Sequence, residues 1–281
     1  MRWQFSNRMQ KNDWRRDHLE GQMYLKTDFK LHAKNESIIA DHCLIHALSD
    51  PDDPDFRKAE DHQHNAQCPQ CTQLWKSLTD LLKIISDAAT DSTSDSMKKE
   101  LEEMHFRVKS HHEIIKRLRN HELRATFAML QREEIIGKLD DKQCLVTADF
   151  ATKFLNTYYW QEQNIFFGQT GHTWHFSHSL CKLVGQFVQH SFIHLLNTEH
   201  QDSVAVTHVL NHVGLELKTA GIELIDLRSD NAASYHSAAT IGSIPGMMRT
   251  SGIKIGSFSF SEAQSGKSAP DRVTATAKGV L

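Results

Sequence analysis

Residues 143–150 read QCLVTADF, a mostly apolar run of strand length with an acid, Asp149, next to its end. The stretch before it, residues 97–139, holds no Pro, and its single Gly is Gly137. There Leu101, Met104, Val108, His111, Ile115 and Leu118 alternate by three and four. This predicts one long helix with a short heptad stripe, suited either to a homodimer seam or to docking on its own domain. Beyond Phe150 the pattern of period two returns. Residues 172–180 (HTWHFSHSL) and 186–196 (QFVQHSFIHLL) read as second and third strands. Residues 201–219 carry Val206, Val209, Leu210, Val213 and Leu217 at helical spacing. A fourth strand is expected at 222–227 (IELIDL), running into Arg-Ser-Asp-Asn, and a fifth at 253–260 (IKIGSFSF). Helical or irregular chain fills the interval to about Met248, and a last helix opens at Asp271, just after Pro270.

The resulting order is strand, strand, strand, helix, strand, helix, strand, helix. Three strands without a helical crossover can pair antiparallel, and the later ones need parallel crossovers. That is an α/β arrangement of ribonuclease H-like type: a mixed sheet flanked by helices over residues 140–281. Upstream, residues 1–40 read as a helical segment. Residues 41–96 form a small Cys/His zinc module with a following amphipathic helix at 72–88 and a polar hinge, DSTSDS, at 91–96. Residues 97–139 are the long helix.

In such a sheet the first and fourth strands are neighbours. Asp149 at the end of the first and Asp230 just past the fourth should therefore converge, with Asp271 at a helix start facing both. Clustered carboxylates repel unless divalent cations neutralise them, and hard oxygen donors suit Mg²⁺ or Mn²⁺. A two-metal site of this kind cleaves and transfers phosphodiester bonds. Glu262 is a reserve ligand. Asp140 and Asp141 precede the first strand and look like turn residues.

A second constellation is Cys43-Leu-Ile-His46, His62-Gln-His64 and Cys68-Pro-Gln-Cys71. Tetrahedral zinc needs four nitrogen or sulfur donors. Cys43, His46, Cys68 and Cys71 are the first choice, with His62 and His64 as alternatives. Four protein donors close the site, so the zinc is structural. His172, His175 and His178 stand three apart on a strand and face alternate sides, which argues against one shared metal. Ser265-Gly-Lys-Ser lacks the earlier Gly of a phosphate loop, because position 261 is Ser. Trp160, Tyr158, Tyr159, Phe166 and Phe167 are read as core or flap residues.

The chain has 281 residues, 19 of them His, and a formal net charge of −3, which excludes a strongly basic DNA-coating protein. The charge is uneven: +4 over residues 1–35, −8 over 36–96, +3 over 97–139 and −2 over 140–281. No run approaches the ~20 apolar residues of a membrane span. Five cysteines, three of them in the Cys/His cluster, read most simply as thiols of a reducing compartment.

The stretches YLKTDFKLH, CLIHALSDPDDPDF, HQHNAQCPQC, DFATKF, GHTWH, QDSVAV, LRSDNAASYHS and FSFSEAQSGKSAPDRVTATAK resemble a family of uncharacterised, transposon-derived proteins of animal genomes. That family in turn is similar to transposases with a ribonuclease H-like DDE domain. The resemblance runs from about Tyr24 to Lys278. It implies that Asp149, Asp230 and Asp271 are the acid triad and that the Cys/His cluster is a zinc module. DNA is the expected partner, and the place of action is intracellular, nuclear if the protein acts on DNA. Two departures stand out. Gly168-Gln-Thr-Gly171 replaces a basic turn, and the last helix stops after one to two turns, so the domain is expected to be truncated there. The function expected is DNA cleavage and strand transfer, or a remnant of it. The alternative is a non-catalytic zinc-containing protein that binds DNA or protein.

Overall fold

The computed structural model describes residues 8–50, 52–54, 57, 62–154, 159–160, 162–163, 171–196 and 200–262, with side chains left undescribed at 8–14 and 152–154. The chain divides into two compact units, residues 1–127 and 128–281.

The first unit is helical. Helix α1 (Arg8–Thr27) leads directly into the single turn α2 (Phe29–His32). A 3₁₀ turn at Ala40–His42 and the short α3 (Leu44–Ala47) follow. Helix α4 (Pro69–Asp91) opens with Cys68 as N-cap and Pro at its first position, where a missing N–H costs nothing. It buries Leu74, Leu78 and Ile85. Gly21 of α1 meets that face: a Cβ there would stand 2.8 Å from Leu74 Cδ1, so any larger residue would make that leucine shift. Helix α5 (Asp95–Lys138) is continuous for 44 residues. Within the first unit it turns Leu101 and Leu123 inward. His112 sets its ring 5.2 Å from that of Trp75, and Arg119 lies over the same indole while pairing with Asp41 at 2.8 Å. Met104, Phe106, Ile114 and Leu118 stay exposed.

The second unit holds a five-stranded sheet: β1 (Gln143–Phe154), β2 (His172–Leu183), β3 (Gln186–Leu196), β4 (Leu224–Asp230) and β5 (Lys254–Ser261). The spatial order is β3-β2-β1-β4-β5. β2 runs antiparallel to β1 and β3, whereas β4 is parallel to β1 and β5 is parallel to β4. This is the ribonuclease H-like topology expected from the element order. The β2–β3 turn is a two-residue hairpin with both Val184 (φ 51°) and Gly185 (φ 76°) left-handed, the geometry that matches strand twist. Asp141 Oδ1 accepts the Gly185 N–H at 2.8 Å, which is what that turn-like acid does.

Helix α6 (Ser203–Thr219) is capped by Asp202, whose side chain accepts from Ala205 N at 2.9 Å. It lays Val206, Val209, Leu210, Val213 and Leu217 on Cys144, Val146, Ala148, Ile225 and Leu227 of the sheet. Each such side chain contributes ~2 kcal/mol when fully buried. After β4 come α7 (Ala233–His236) and α8 (Ala238–Ser251), the latter capped by Ser237 and ended by Gly252 at φ 69°. Leu227 is 1% exposed in the middle of this core. Leu227→Ala should therefore lower the stability of the second unit by ~3 kcal/mol, read as a shifted urea midpoint with an unchanged slope.

Two expectations are adjusted. β1 does not close at Asp149 but continues to Phe154, pairing with β2 through a bulge between Ala151 and Phe154. And the five cysteines are not all thiols: Cys144 and Cys181, opposite each other on β1 and β2 at a Cα separation of 4.1 Å, form a disulfide. Cys43, Cys68 and Cys71 are free.

Candidate functional site

Two regions gather chemistry, one in each unit. In the sheet unit, β1 and β4 are parallel neighbours from Gln143↔Leu224 to Ala148↔Ser229. The chain leaves β1 toward one side of the sheet and β4 toward the other, so their carboxyl ends mark a topological switch point, where open α/β sheets bind ligands. One step past the last paired residues stand Asp149 and Asp230, side by side and on the same face. Both are partly buried. Asp230 Oδ1 accepts the Ala232 N–H at 3.1 Å, an Asx turn that fixes its carboxylate.

On the opposite face, Tyr235 of α7 is fully buried and its hydroxyl meets His175 Nε2 at 3.0 Å. Burial, then Asp149, then Asp230 push Tyr235 ionisation well above its ordinary range, which places both carboxylates within electrostatic reach of one hydroxyl. His175 is held neutral, its pKa lowered to about 3 by burial and then by His194. Phe150 packs its ring 4.9 Å from His175 and 5.6 Å from Tyr235. Glu262 directly follows β5, whose Ser261 pairs with Asp230. Asp271 lies outside the described residues, as do Tyr158, Phe166, Phe167 and residues 168–170. Tyr159 and Trp160 are exposed rather than core. Two carboxylates on adjoining strand ends are hard oxygen donors, a set that fits Mg²⁺ or Mn²⁺.

In the helical unit the donors divide into two groups. Cys68 and Cys71 occupy the N-cap and first turn of α4, which sets both sulfurs at one end of that helix. They meet His42 and His32, not Cys43. His42 Nε2 lies 3.3 Å from Cys71 Sγ, and the donor atoms of His32, His42 and Cys68 lie within 4.8 Å of one another. The Tyr24 hydroxyl stands among the four: 3.4 Å from His32 Nδ1, 2.9 Å from His42 Nε2, 3.4 Å from Cys68 Sγ and 3.3 Å from Cys71 Sγ. Burial pushes the Cys71 thiol up to about 12. Burial, then the neighbouring His32, lowers His42.

Cys43, fully buried, is grouped instead with His62 and His64, their donor atoms again within 4.8 Å. Cys43 Sγ lies 3.3 Å from His62 Nε2. Burial raises that thiol, but hydrogen bonds from the backbone at His46 and Ser37 and from the His62 ring outweigh it and hold the thiol below its ordinary value. His46 sets its ring 4.4 Å from that of His64. So the structure separates Cys43 and His46 from Cys68 and Cys71, which the sequence had grouped around one ion. It adds His32 and His42, which the sequence reading passed over. His175, His172 and His178 do not share a site: His175 faces Tyr235, and His178 Nδ1 meets Ser191 Oγ at 3.1 Å.

No helix among the described residues is long and apolar enough to cross a membrane. No curated protein matches the chain in sequence. Among solved structures, the Mos1 strand transfer complex matches at 11% identity and TM-score 0.33, over 72% of this chain and 64% of that one. The Mos1 transposase paired-end complex with left transposon end matches at 15% identity and TM-score 0.28, over 73% and 63%. A pre-cleavage Mos1 transpososome matches at 11% identity and TM-score 0.25, over 71% and 62%. The match thus spans less than two thirds of each of those chains, and the fold assignment rests on strand order and pairing. Residues 130–281 match the family model described as a domain of unknown function (DUF8701), and the chain belongs to that family.

Proposed function

We propose that the sheet unit is a transposase-like catalytic domain that cleaves and joins DNA phosphodiester bonds, with Asp149, Asp230 and Asp271 holding two Mg²⁺ or Mn²⁺ ions. The observation that carries this reading is the pairing of β1 with β4, which brings Asp149 and Asp230 together at the carboxyl edge of the sheet. Two such ions, when bound, supply an activated water or 3′ hydroxyl and neutralise the leaving oxygen. The residues of the chain do the rest. The Asx turn at Asp230 and the rigid strand ends aim the carboxylates. Tyr235, His175 and Phe150 pack behind them and exclude water from the core side. In the helical unit the Cys/His donors hold zinc in a structural role. DNA is the partner, which sets the place of action in the nucleus, and the exposed apolar residues of α5 offer a homodimer seam.

Calorimetric titration of Mn²⁺ into the full chain and into Asp230→Asn tests the reading. The expected result is micromolar to millimolar binding in the wild type, lost in the variant. Equal binding in both would overturn the placement of the ions. Zinc without any Mn²⁺ site would favour the other reading, a non-catalytic zinc-containing protein that binds DNA or protein.

A further inference from the structure

The helical unit carries two donor groups where a single zinc was expected. Their order along the chain is informative: His32 and His42, then Cys43, His46, His62 and His64, then Cys68 and Cys71. The second group lies wholly inside the loop that the first group closes. The junction is the dipeptide His42-Cys43. His42 ends a 3₁₀ turn, and Cys43 is extended at φ −84° and ψ 113°. Successive side chains in extended backbone point to opposite sides, so these two neighbours must face different surroundings. The backbone fixes this divergence. Lys34 N–H donates to His42 O and Leu44 N–H to Lys34 O, both at 2.9 Å, a parallel bridge that clamps the junction to the segment after α2. Ala66 N–H donates to Ile38 O at 3.2 Å, which ties down the segment carrying His62 and His64.

Each group has the chemistry of a zinc site. The first offers two sulfurs and two imidazoles. That all four donor atoms lie within 3.4 Å of one point, the Tyr24 hydroxyl oxygen, shows that they converge. A tetrahedral ion needs them at about 2.0–2.3 Å, an inward shift of about 1 Å, with the hydroxyl displaced to the rim as a hydrogen-bond donor to a thiolate. The second group offers one sulfur and the imidazoles of His62 and His64, with His46 beside them for the fourth position. One ion cannot serve both groups, because His42 and Cys43 diverge.

We infer that the helical unit binds two zinc ions in nested sites: an outer one at His32, His42, Cys68 and Cys71, and an inner one at Cys43, His46, His62 and His64. The inner ion folds the loop whose far end delivers Cys68 and Cys71 to the outer one. This rests on the reading that the segment holds zinc, and it is independent of DNA cleavage.

The test is elemental analysis of the full chain purified with a non-chelating reductant, followed by Co²⁺ substitution. Two zinc ions per chain are expected. Cys43→Ala and His64→Ala should each retain one, and Cys71→Ala one or none according to whether the unit folds, judged by far-UV circular dichroism. In the cobalt form, thiolate-to-metal charge transfer should correspond to three thiolates over two ions, and Cys43→Ala should remove one third of it. One zinc per chain, with cobalt spectra of a single site, would overturn the nested pair while sparing the zinc reading. So would unchanged zinc content in Cys43→Ala. No zinc in a folded wild type would overturn both.

Discussion

Asp149→Asn and Asp230→Asn are each expected to lower metal-dependent DNA cleavage by about 10³-fold or more, ~4 kcal/mol of transition-state stabilisation, with no loss of folded protein. The substitution suits the geometry. Asn keeps the size of the side chain and its Oδ1, so at position 230 the bond from Ala232 N–H survives. What disappears is the negative charge that a divalent ion requires. Removing one of two adjacent carboxylates also relieves their mutual repulsion, so the melting temperature should hold or rise slightly. The measurement is nicking of supercoiled plasmid in Mg²⁺ and in Mn²⁺, alongside thermal melts. Rates within threefold of wild type in both variants would sink the catalytic assignment of these acids. A wild type that never cleaves, yet binds Mn²⁺, would instead locate the defect in what surrounds the ions.

The placement of Asp149 beside Asp230 could be read from sequence because it depends on elements, not contacts. QCLVTADF and IELIDL are continuous apolar runs, and the helix between them carries Val206, Val209, Leu210, Val213 and Leu217 at helical spacing. Once the first and fourth strands are neighbours, Asp149 and Asp230 follow. The bounds were less legible. β1 runs on to Phe154 because Ala151 and Phe154 find partners on β2, although Thr152 and Lys153 look like loop residues. The β4 strand starts at Leu224, because the N–H of Ile222 still bonds back to Leu217 O in the turn out of α6.

The Cys/His cluster was legible as a candidate metal segment, but its residues were not sorted and His32 and His42 were missed. Spacing alone made Cys43-x-x-His46 and Cys68-x-x-Cys71 look like halves of one site. The deciding facts were the opposite directions of His42 and Cys43 and the arrival of His32 from α2, neither of which leaves a periodic signal. The Cys144–Cys181 disulfide is similar. Cysteine pairing cannot be deduced from a sequence, and only the register that sets residue 144 against 181 reveals it.

The second large effect concerns His175, whose partner Tyr235 is 60 residues away in the chain. Its ring is buried between Phe150 and Tyr235, with Nε2 on the Tyr235 hydroxyl at 3.0 Å and Nδ1 3.4 Å from Ser177 Oγ. Either neutral tautomer satisfies both contacts: Tyr235 donates to Nε2 while Nδ1–H donates to Ser177, or Nε2–H donates to Tyr235 while Ser177 donates to Nδ1. A second proton would put a charge in a buried site with no carboxylate of the described residues in contact, and the His194 ring 6.2 Å away adds repulsion, itself backed by His212 at 3.1 Å. Burial first, then His194, therefore lowers the folded pKa to about 3, against about 6.5 for the unfolded chain. Above pH 6.5 both states are neutral at this site and stability is unaffected. As the pH falls below 6.5 the unfolded chain takes up the proton and the folded one does not, so stability is lost progressively down to about pH 3, on the order of 5 kcal/mol in all. Urea unfolding of the second unit between pH 7.5 and pH 4 should show that slope. His175→Gln, which still offers Tyr235 an acceptor but cannot ionise, should flatten it by about one proton while costing ~1–2 kcal/mol at neutral pH. If the variant and the wild type lose stability in parallel over that range, the acid sensitivity resides in other groups and His175 is not the buried neutral base assigned here.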